Sequence, residues 1–306
     1  MNKLISSISP HFHSRLTTSK IMLDVVIALI PAAIASVVIF GARSLLVIGV
    51  CVAVCVFSEW GFEKICKKEN TITDLSAVVT GMLLAFNLPV SIPLWQAAFG
   101  SLVAIVVVKQ LFGGIGQNFA NPAITARIIM MTAFSGTMTS WVFPDASSSA
   151  TPLALMSKGQ TSSLPTYLNM FLGYHGGCLG ETCTLALLLG GIYLLVKRVI
   201  SWHTPAAFIG TVALMSFFCG KDVLYQLMAG GLMIGALFMA TDYASTPSTK
   251  WGKIIFGIGC GLITVLIRFW GNFPEGVSFS ILLMNILTPY IEKLTRVKPL
   301  IGGGKA

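Results

Sequence analysis

Apolar residues run along this chain in blocks of about twenty, separated by short polar stretches. The blocks fall at 21–41, 44–65, 72–88, 94–112, 122–135, 180–200, 204–220, 223–241, 252–270 and 278–295. A helix of roughly 20 residues crosses the hydrocarbon core of a bilayer, so the pattern predicts ten spanning helices and an all-α, polytopic membrane fold. Two blocks look like broken helices. The short block 122–135 follows Gly113-Gly114-Ile115-Gly116-Gln117-Asn118-Phe119-Ala120-Asn121-Pro122, where Asn121 suits a helix cap and Pro122 a first turn. Its helix is therefore expected to start part-way into the membrane. The block 278–295 follows Gly271-Asn272-Phe273-Pro274-Glu275-Gly276 in a similar way.

The order of landmarks repeats. Asn118-Phe119 and Asn272-Phe273 each follow a glycine break, Trp95 and Trp251 open the preceding blocks, and Phe86-Asn87-Leu88-Pro89 corresponds to Thr241-Asp242 through Pro247. Five spans per copy would turn the second copy over, giving two inverted repeats, a design that puts binding sites at interrupted helices. The expected division is a cytoplasmic segment 1–20, a first repeat 21–135, an outer loop 136–179, a second repeat 180–296 and a cytoplasmic tail 297–306.

Composition supports the membrane assignment. The 306 residues are 55% hydrophobic and 10% charged, against about 25% charged in soluble domains, and mean hydropathy is +0.84. The first nineteen residues lack the apolar core of a cleavable signal. A net charge of +9 does not call for nucleic acid, because its placement fits membrane topology. With the N-terminus inside, 15 of the 20 Lys and Arg residues lie in inner segments. Both termini are then cytoplasmic, in the inner membrane of the cell, and the loop holding Thr151 is extracytoplasmic.

Candidate chemistry is sparse. No catalytic constellation and no metal-ligand set emerges. The seven cysteines form no CxxC pair, and Cys178 and Cys183, flanking Glu181, read as structural before they read as a disulfide or ligand pair. Asn118 and Asn121 can hydrogen-bond a planar polar ligand that the neighbouring glycines admit, and capping explains Asn121 equally well. Asp242 can face a ligand imide or a cation, or be a solvated helix end. Asp24 suits a surface pair with Lys20, and Arg127 and Arg268 are expected to snorkel outward. One long polar segment, about 135–166, is rich in Ser and Thr and carries a single lysine, Lys158, and a single acid, Asp145. It suits either a hydroxyl modification or a plain connector.

Within that segment, Asp145-x-x-Ser148-x-Ala150-Thr151 resembles the flavinylation motif Asp-x-x-Ser/Thr-Gly-Ala-Thr, with Ser149 where glycine is usual. That motif belongs to the family of membrane subunits shared by respiratory Rnf complexes and sodium-pumping NADH:quinone oxidoreductases. The stretches 113–123, 240–242 and 274–282 are similar to the same family. The start of the first span near residue 21 resembles the Rnf branch of the family more than the quinone oxidoreductase branch, whose soluble N-terminus is longer. The resemblance implies ten spans in inverted repeats, and FMN esterified through its phosphate to Thr151 by a dedicated flavin transferase, with Asp145, Ser148 and Ala150 completing the motif. It also implies a non-covalent riboflavin, carried onto Asn118, Asn121 and Asp242. The partners it implies are the other complex subunits, with iron–sulfur and flavin groups. Ferredoxin and NAD are expected to react on those subunits, since this chain has neither a cluster-binding cysteine set nor a nucleotide fold. The implied role is an electron-transfer subunit of a sodium- or proton-exporting oxidoreductase. The competing reading is a flavin-free channel or secondary carrier of similar architecture.

Overall fold

The computed structural model describes residues 17–68, 70–141, 151–157, 164–271 and 276–296. Among the described residues every regular element is helical, and each of the ten apolar blocks contains helix. The first half comprises α1 (Thr18–Phe40), α2 (Ala42–Ile65), α3 (Ser76–Phe86), α4 (Leu94–Leu102, continuing to Gln110 with i→i+5 bonding), α5 (Pro122–Ala133) and the single turn α6 (Ser135–Met138). Two short helices, α7 (Pro152–Ser157) and α8 (Tyr167–Leu172), lead to the second half. There α9 (Thr184–Val196), α10 (His203–Phe218) and α11 (Val223–Met228) precede α12 (Leu232–Ile234, continuing to Met239 with i→i+5 bonding), α13 (Lys250–Trp270) and α14 (Val277–Thr295). The helices α1, α2 and α13 are long and apolar enough to cross a membrane, and α3, α4, α5, α9 and α10 are shorter apolar helices. The protein is a polytopic helical membrane protein.

Local chemistry sets the helix ends. Thr17, Asn121, Asp222 and Thr249 cap α1, α5, α11 and α13 through side-chain oxygens. Gly41 alone separates α1 from α2, at φ 79°, a conformation that side chains disfavour. The two halves meet along α1 and α9, where a Cβ at Gly190 would lie 2.1 Å from the Ala28 carbonyl oxygen.

Contacts between helix ends fix two poles. The Tyr193 hydroxyl near the end of α9 donates to Asp24 in the first turns of α1, at 2.7 Å. Lys68 beyond α2 donates to the Gln110 carbonyl at 3.3 Å, and Thr249 before α13 meets Thr295 at 2.6 Å. This pole gathers Lys64, Lys68, Lys197, Arg198, Lys250, Lys253 and Lys293, with Trp60, Trp202 and Trp251 exposed around it. Trp95 and Trp270 are exposed at the other pole. Tryptophan at both ends of an apolar wall marks the two interfaces of a bilayer.

Two interruptions lie against each other. After α3 the chain leaves the helix at Asn87, and a separate stretch, 173–183, is irregular before α9. Leu179 N–H donates to the Leu88 carbonyl and Gly180 N–H to the Phe86 carbonyl, each at 3.0 Å. Backbone groups freed at these breaks thus find protein partners. A Cβ at Gly180 would sit 2.2 Å from the Phe86 Cβ, so glycine is what lets the two irregular segments approach.

Three sequence expectations are corrected here. Arg127 and Arg268 do not snorkel; both are buried. Arg127 donates to the Asn87 side-chain oxygen at 2.7 Å, and Arg268 to the carbonyls of Gln226, Ala229 and Gly230 at 2.7, 2.9 and 3.3 Å. Oriented acceptors at the interrupted helices hold these guanidinium groups inside more cheaply than exposure to lipid would allow. Asp24 is engaged by Tyr193 across the interface between the halves, which a surface pair within α1 would not achieve. The cysteines, by contrast, read as structural, and none of the seven is in a disulfide; buried Cys178 donates to the Asn87 carbonyl at 3.3 Å.

Candidate functional site

The break after α4 positions the first candidate group. The chain turns through Gly113, Gly114 and Gly116, all at positive φ, and enters α5 at Asn121. The Asn121 Oδ1 accepts from Ala123 N–H at 3.0 Å and Ile124 N–H at 3.3 Å, and its Nδ2 reaches the Met239 carbonyl at 3.4 Å. Capping and a link between the halves are therefore roles of one side chain. Asn118 donates to the Ala120 carbonyl at 2.9 Å. From the other half, the turn after α12 brings in Asp242, whose Oδ2 accepts from the Ser245 hydroxyl at 2.9 Å. Burial pushes the Asp242 carboxyl above the ordinary carboxylate range, opposed by hydrogen bonds from Ser245, from the Ala244 and Tyr243 N–H groups and from Asn118.

Asn118, Asn121 and Asp242, from opposite halves of the chain, line one cavity of about 470 Å³ at the basic pole. Met22, Val25, Leu83, Leu194 and Phe238 supply apolar wall, and Ser76, Thr80 and Lys109 add polar groups. A largely apolar chamber with a few convergent donors and acceptors is the usual form of a small-molecule site.

The charge beside this cavity is not anticipated from the sequence. Lys109 Nζ lies 2.5 Å from Glu59 Oε1 and donates to Ser76 Oγ at 2.6 Å, and Gln110 Nε2 donates to the same carboxylate oxygen at 2.7 Å. All four residues are buried. The signal available was a glutamate and a lysine inside apolar blocks, since such charges need a partner or a task.

At the opposite pole, Thr151 precedes α7, and its Oγ accepts from Ala154 N–H at 3.3 Å. The sequence pattern places this hydroxyl in water; the structure buries it, with 4% of its surface exposed. The cause is the apolar face of α7, where Leu153 packs with Met170 and Ala229 and pulls the preceding threonine inward. Asp145, Ser148 and Ala150 lie outside the described residues. Immediately after Thr151, Leu153, Met156 and Ser157 line a cavity of about 680 Å³ shared with Lys221, Tyr225, Gln226, Arg268 and Phe269. Two cations, the carboxylate of Asp222 and two aromatic rings thus line a cavity that begins two residues from the candidate hydroxyl. Among the described residues no cluster of His, Cys, Asp and Glu is arranged to hold a metal ion.

Comparison with known proteins covers the whole of this architecture. The sequence profile of the family described as "NQR2, RnfD, RnfE family" matches residues 5–300. The chain is 48% identical over 301 residues to the D subunit of the Na(+)-translocating ferredoxin:NAD(+) oxidoreductase complex of Acetobacterium woodii, covering 97% of this chain and 94% of the relative. It is 43% identical to the D subunit of the proton-translocating ferredoxin:NAD(+) oxidoreductase complex of Clostridium ljungdahlii, over 95% of this chain and 94% of the relative. It is also 36% identical to the D subunit of the ion-translocating oxidoreductase complex of Stutzerimonas stutzeri, over 92% of each chain.

Proposed function

The chain belongs to the NQR2, RnfD, RnfE family, and from that premise we propose that it is the flavin-bearing membrane subunit of an ion-translocating ferredoxin:NAD⁺ oxidoreductase complex. The observation that carries the flavin reading is the convergence of Asn118, Asn121 and Asp242 on one cavity. The three stand in distant parts of the chain, and each suits a planar, polar ligand. A carboxylate accepts an imide N–H, amides donate and accept along a ring edge, and the apolar walls take the ring faces. Bound there and on Thr151, flavin would supply the capacity to exchange one or two electrons.

This chain's own residues bind and orient. Asn118 and Asn121 are themselves held, by the Ala120 carbonyl and by the Met239 carbonyl, so the polar edge of the cavity is fixed before a ligand enters. Fixed groups cost little reorganisation on binding. At the other pole, Thr151 supplies the hydroxyl for a phosphoester with FMN, and the adjoining cavity offers Lys221 to a phosphate and Tyr225 and Phe269 to a ring. Burial of Thr151 means that a flavin transferase acts before α7 packs against Met170 and Ala229. The other subunits of the complex hold the ferredoxin and NAD⁺ sites and the iron–sulfur groups. The basic pole faces the cytoplasm, with both termini there, by the positive-inside bias. The relatives at 48% and 43% identity are named for different ions, so overall likeness does not select sodium or proton for this chain.

The test is made on the complex produced with its flavin transferase. Intact mass should show one FMN on this chain, in-gel fluorescence should vanish in Thr151→Ala, and acid-extractable riboflavin should vanish in Asp242→Ala with the covalent label retained. A chain of unmodified mass that also yields no extractable flavin would leave the flavin-free carrier as the surviving reading.

A further inference from the structure

We infer that the basic pole carries a site for the phosphodiester headgroup of an anionic phospholipid, between the end of α9 and the start of α13. A cavity of about 740 Å³ lies there, with Arg198, Ser201, Trp202, Tyr243 and Lys253 in its lining and no acidic residue among its walls. The two cations come from different segments. Arg198 sits in the turn after α9 at φ 56°, and Lys253 in the first turn of α13.

Among the described residues nothing neutralises them. The ion pair found there is Lys109 with Glu59, away from this cavity. The nearby carboxylates are already engaged. Asp242 accepts from Ser245 at 2.9 Å, and Glu292 accepts from the Ser248 N–H at 2.9 Å and from the Ser248 hydroxyl. Two cations converging on a cavity without a counter-charge are a receptor for an anion, and guanidinium with ammonium is a phosphate pair.

Position selects the source of the phosphate. Trp202 and Trp251 are 63% and 71% exposed at this pole, which sets the cavity at headgroup depth. Below it the exposed Ile192 and Val196 of α9 and Ile255 of α13 offer an apolar path to acyl chains. Basic pockets between helices at this depth take anionic lipid headgroups. The cavity shares Val199, Ile200, Thr241 and Tyr243 with the one lined by Asn118 and Asp242, so an occupant would brace the wall of the proposed flavin site. The lipid inference does not depend on flavin being there.

Native mass spectrometry of the detergent-purified complex tests it, with added phosphatidylglycerol, phosphatidylcholine or inorganic phosphate. Two basic groups at a headgroup give a preference for phosphatidylglycerol over phosphatidylcholine of about thirty-fold. The double variant Arg198→Gln/Lys253→Gln should abolish it, Arg198→Lys should keep most of it, and millimolar phosphate should leave it intact. The double variant should keep the wild-type melting temperature, which is checked alongside. Equal retention of the two lipids, unchanged retention in the double variant, or displacement by inorganic phosphate alone would overturn the assignment. So would failure to retain any lipid, because another subunit would then cover this face.

Discussion

Lys109 and Arg268 occupy comparable places in the two halves, and the protein accommodates them differently. Each lies near the end of the helix that precedes a glycine break, and each reaches the start or interruption of a neighbouring helix. Lys109 meets a carboxylate, Glu59, and the Ser76 hydroxyl at the start of α3. Arg268 donates to neutral oxygens, the backbone carbonyls that end α11 and the Gln226 side chain. An ammonium is a compact charge that is best answered by another charge. A guanidinium is a planar fork that several carbonyl dipoles can answer together. The first arrangement ties two charges into a removable unit, whereas the second makes the cation part of the backbone's own hydrogen bonding.

The largest expected effect follows from breaking the unit on one side. Lys109→Met leaves Glu59 buried without its counter-ion and should lower stability by about 3–5 kcal/mol. Adding Glu59→Leu removes the orphaned charge and should restore most of the loss. Thermal unfolding of the detergent-solubilised chain reads both, and a double variant no more stable than Lys109→Met would show that the two residues do not act as a pair. No such rescue is available at the other position. Arg268→Lys keeps the charge but cannot serve the carbonyls of Gln226, Ala229 and Gly230 at once, so it should cost about 1–3 kcal/mol. If Arg268→Lys melts with the wild type, the fork geometry is irrelevant and the contrast between the two cations fails.

That contrast also marks where the sequence stops being readable. The ten apolar blocks predict helical segments because length and hydropathy are properties of a local stretch. Asn118, Asn121 and Asp242 are legible as candidates for a related reason: polar side chains beside a glycine break or a helix end have few tasks available. That they share one cavity is not legible, because it depends on how the halves pack. Arg127 and Arg268 read as snorkelling residues, and the structure buries them. Their acceptors are oxygens presented by interruptions far away in sequence, near Asn87 and Gly230, and a hydropathy pattern does not say which interruption faces which arginine. Glu59 and Lys109 are fifty positions apart, so each alone looks like a tolerated charge. The Thr151 motif is readable in its residues. Its burial is not, since that depends on Leu153 finding Met170 and Ala229.

A third buried group extends the comparison to a side chain that meets the low dielectric by giving up its charge. His175 lies in the irregular stretch before α9, outside the helical spans, and is 2% exposed, with Nδ1 lacking a hydrogen-bond partner among the described residues. Burial pushes its imidazole down from 6.5 to about 4, against a hydrogen bond to the Asn169 backbone that favours the charged form. The folded chain thus holds His175 neutral, while the unfolded chain protonates it below pH 6.5. A group with a depressed folded pKa contributes its stability fully above the unfolded value and loses it as pH falls toward the folded one. Between about pH 8 and about pH 5.5 the wild type should therefore lose on the order of 1 kcal/mol through this residue. His175→Gln should flatten that limb, whatever it costs at the alkaline end. Melting temperatures measured across the interval decide the matter. If the two profiles run parallel, His175 does not titrate on unfolding. Acid sensitivity in this range would then have to come from other groups, the carboxylates among them.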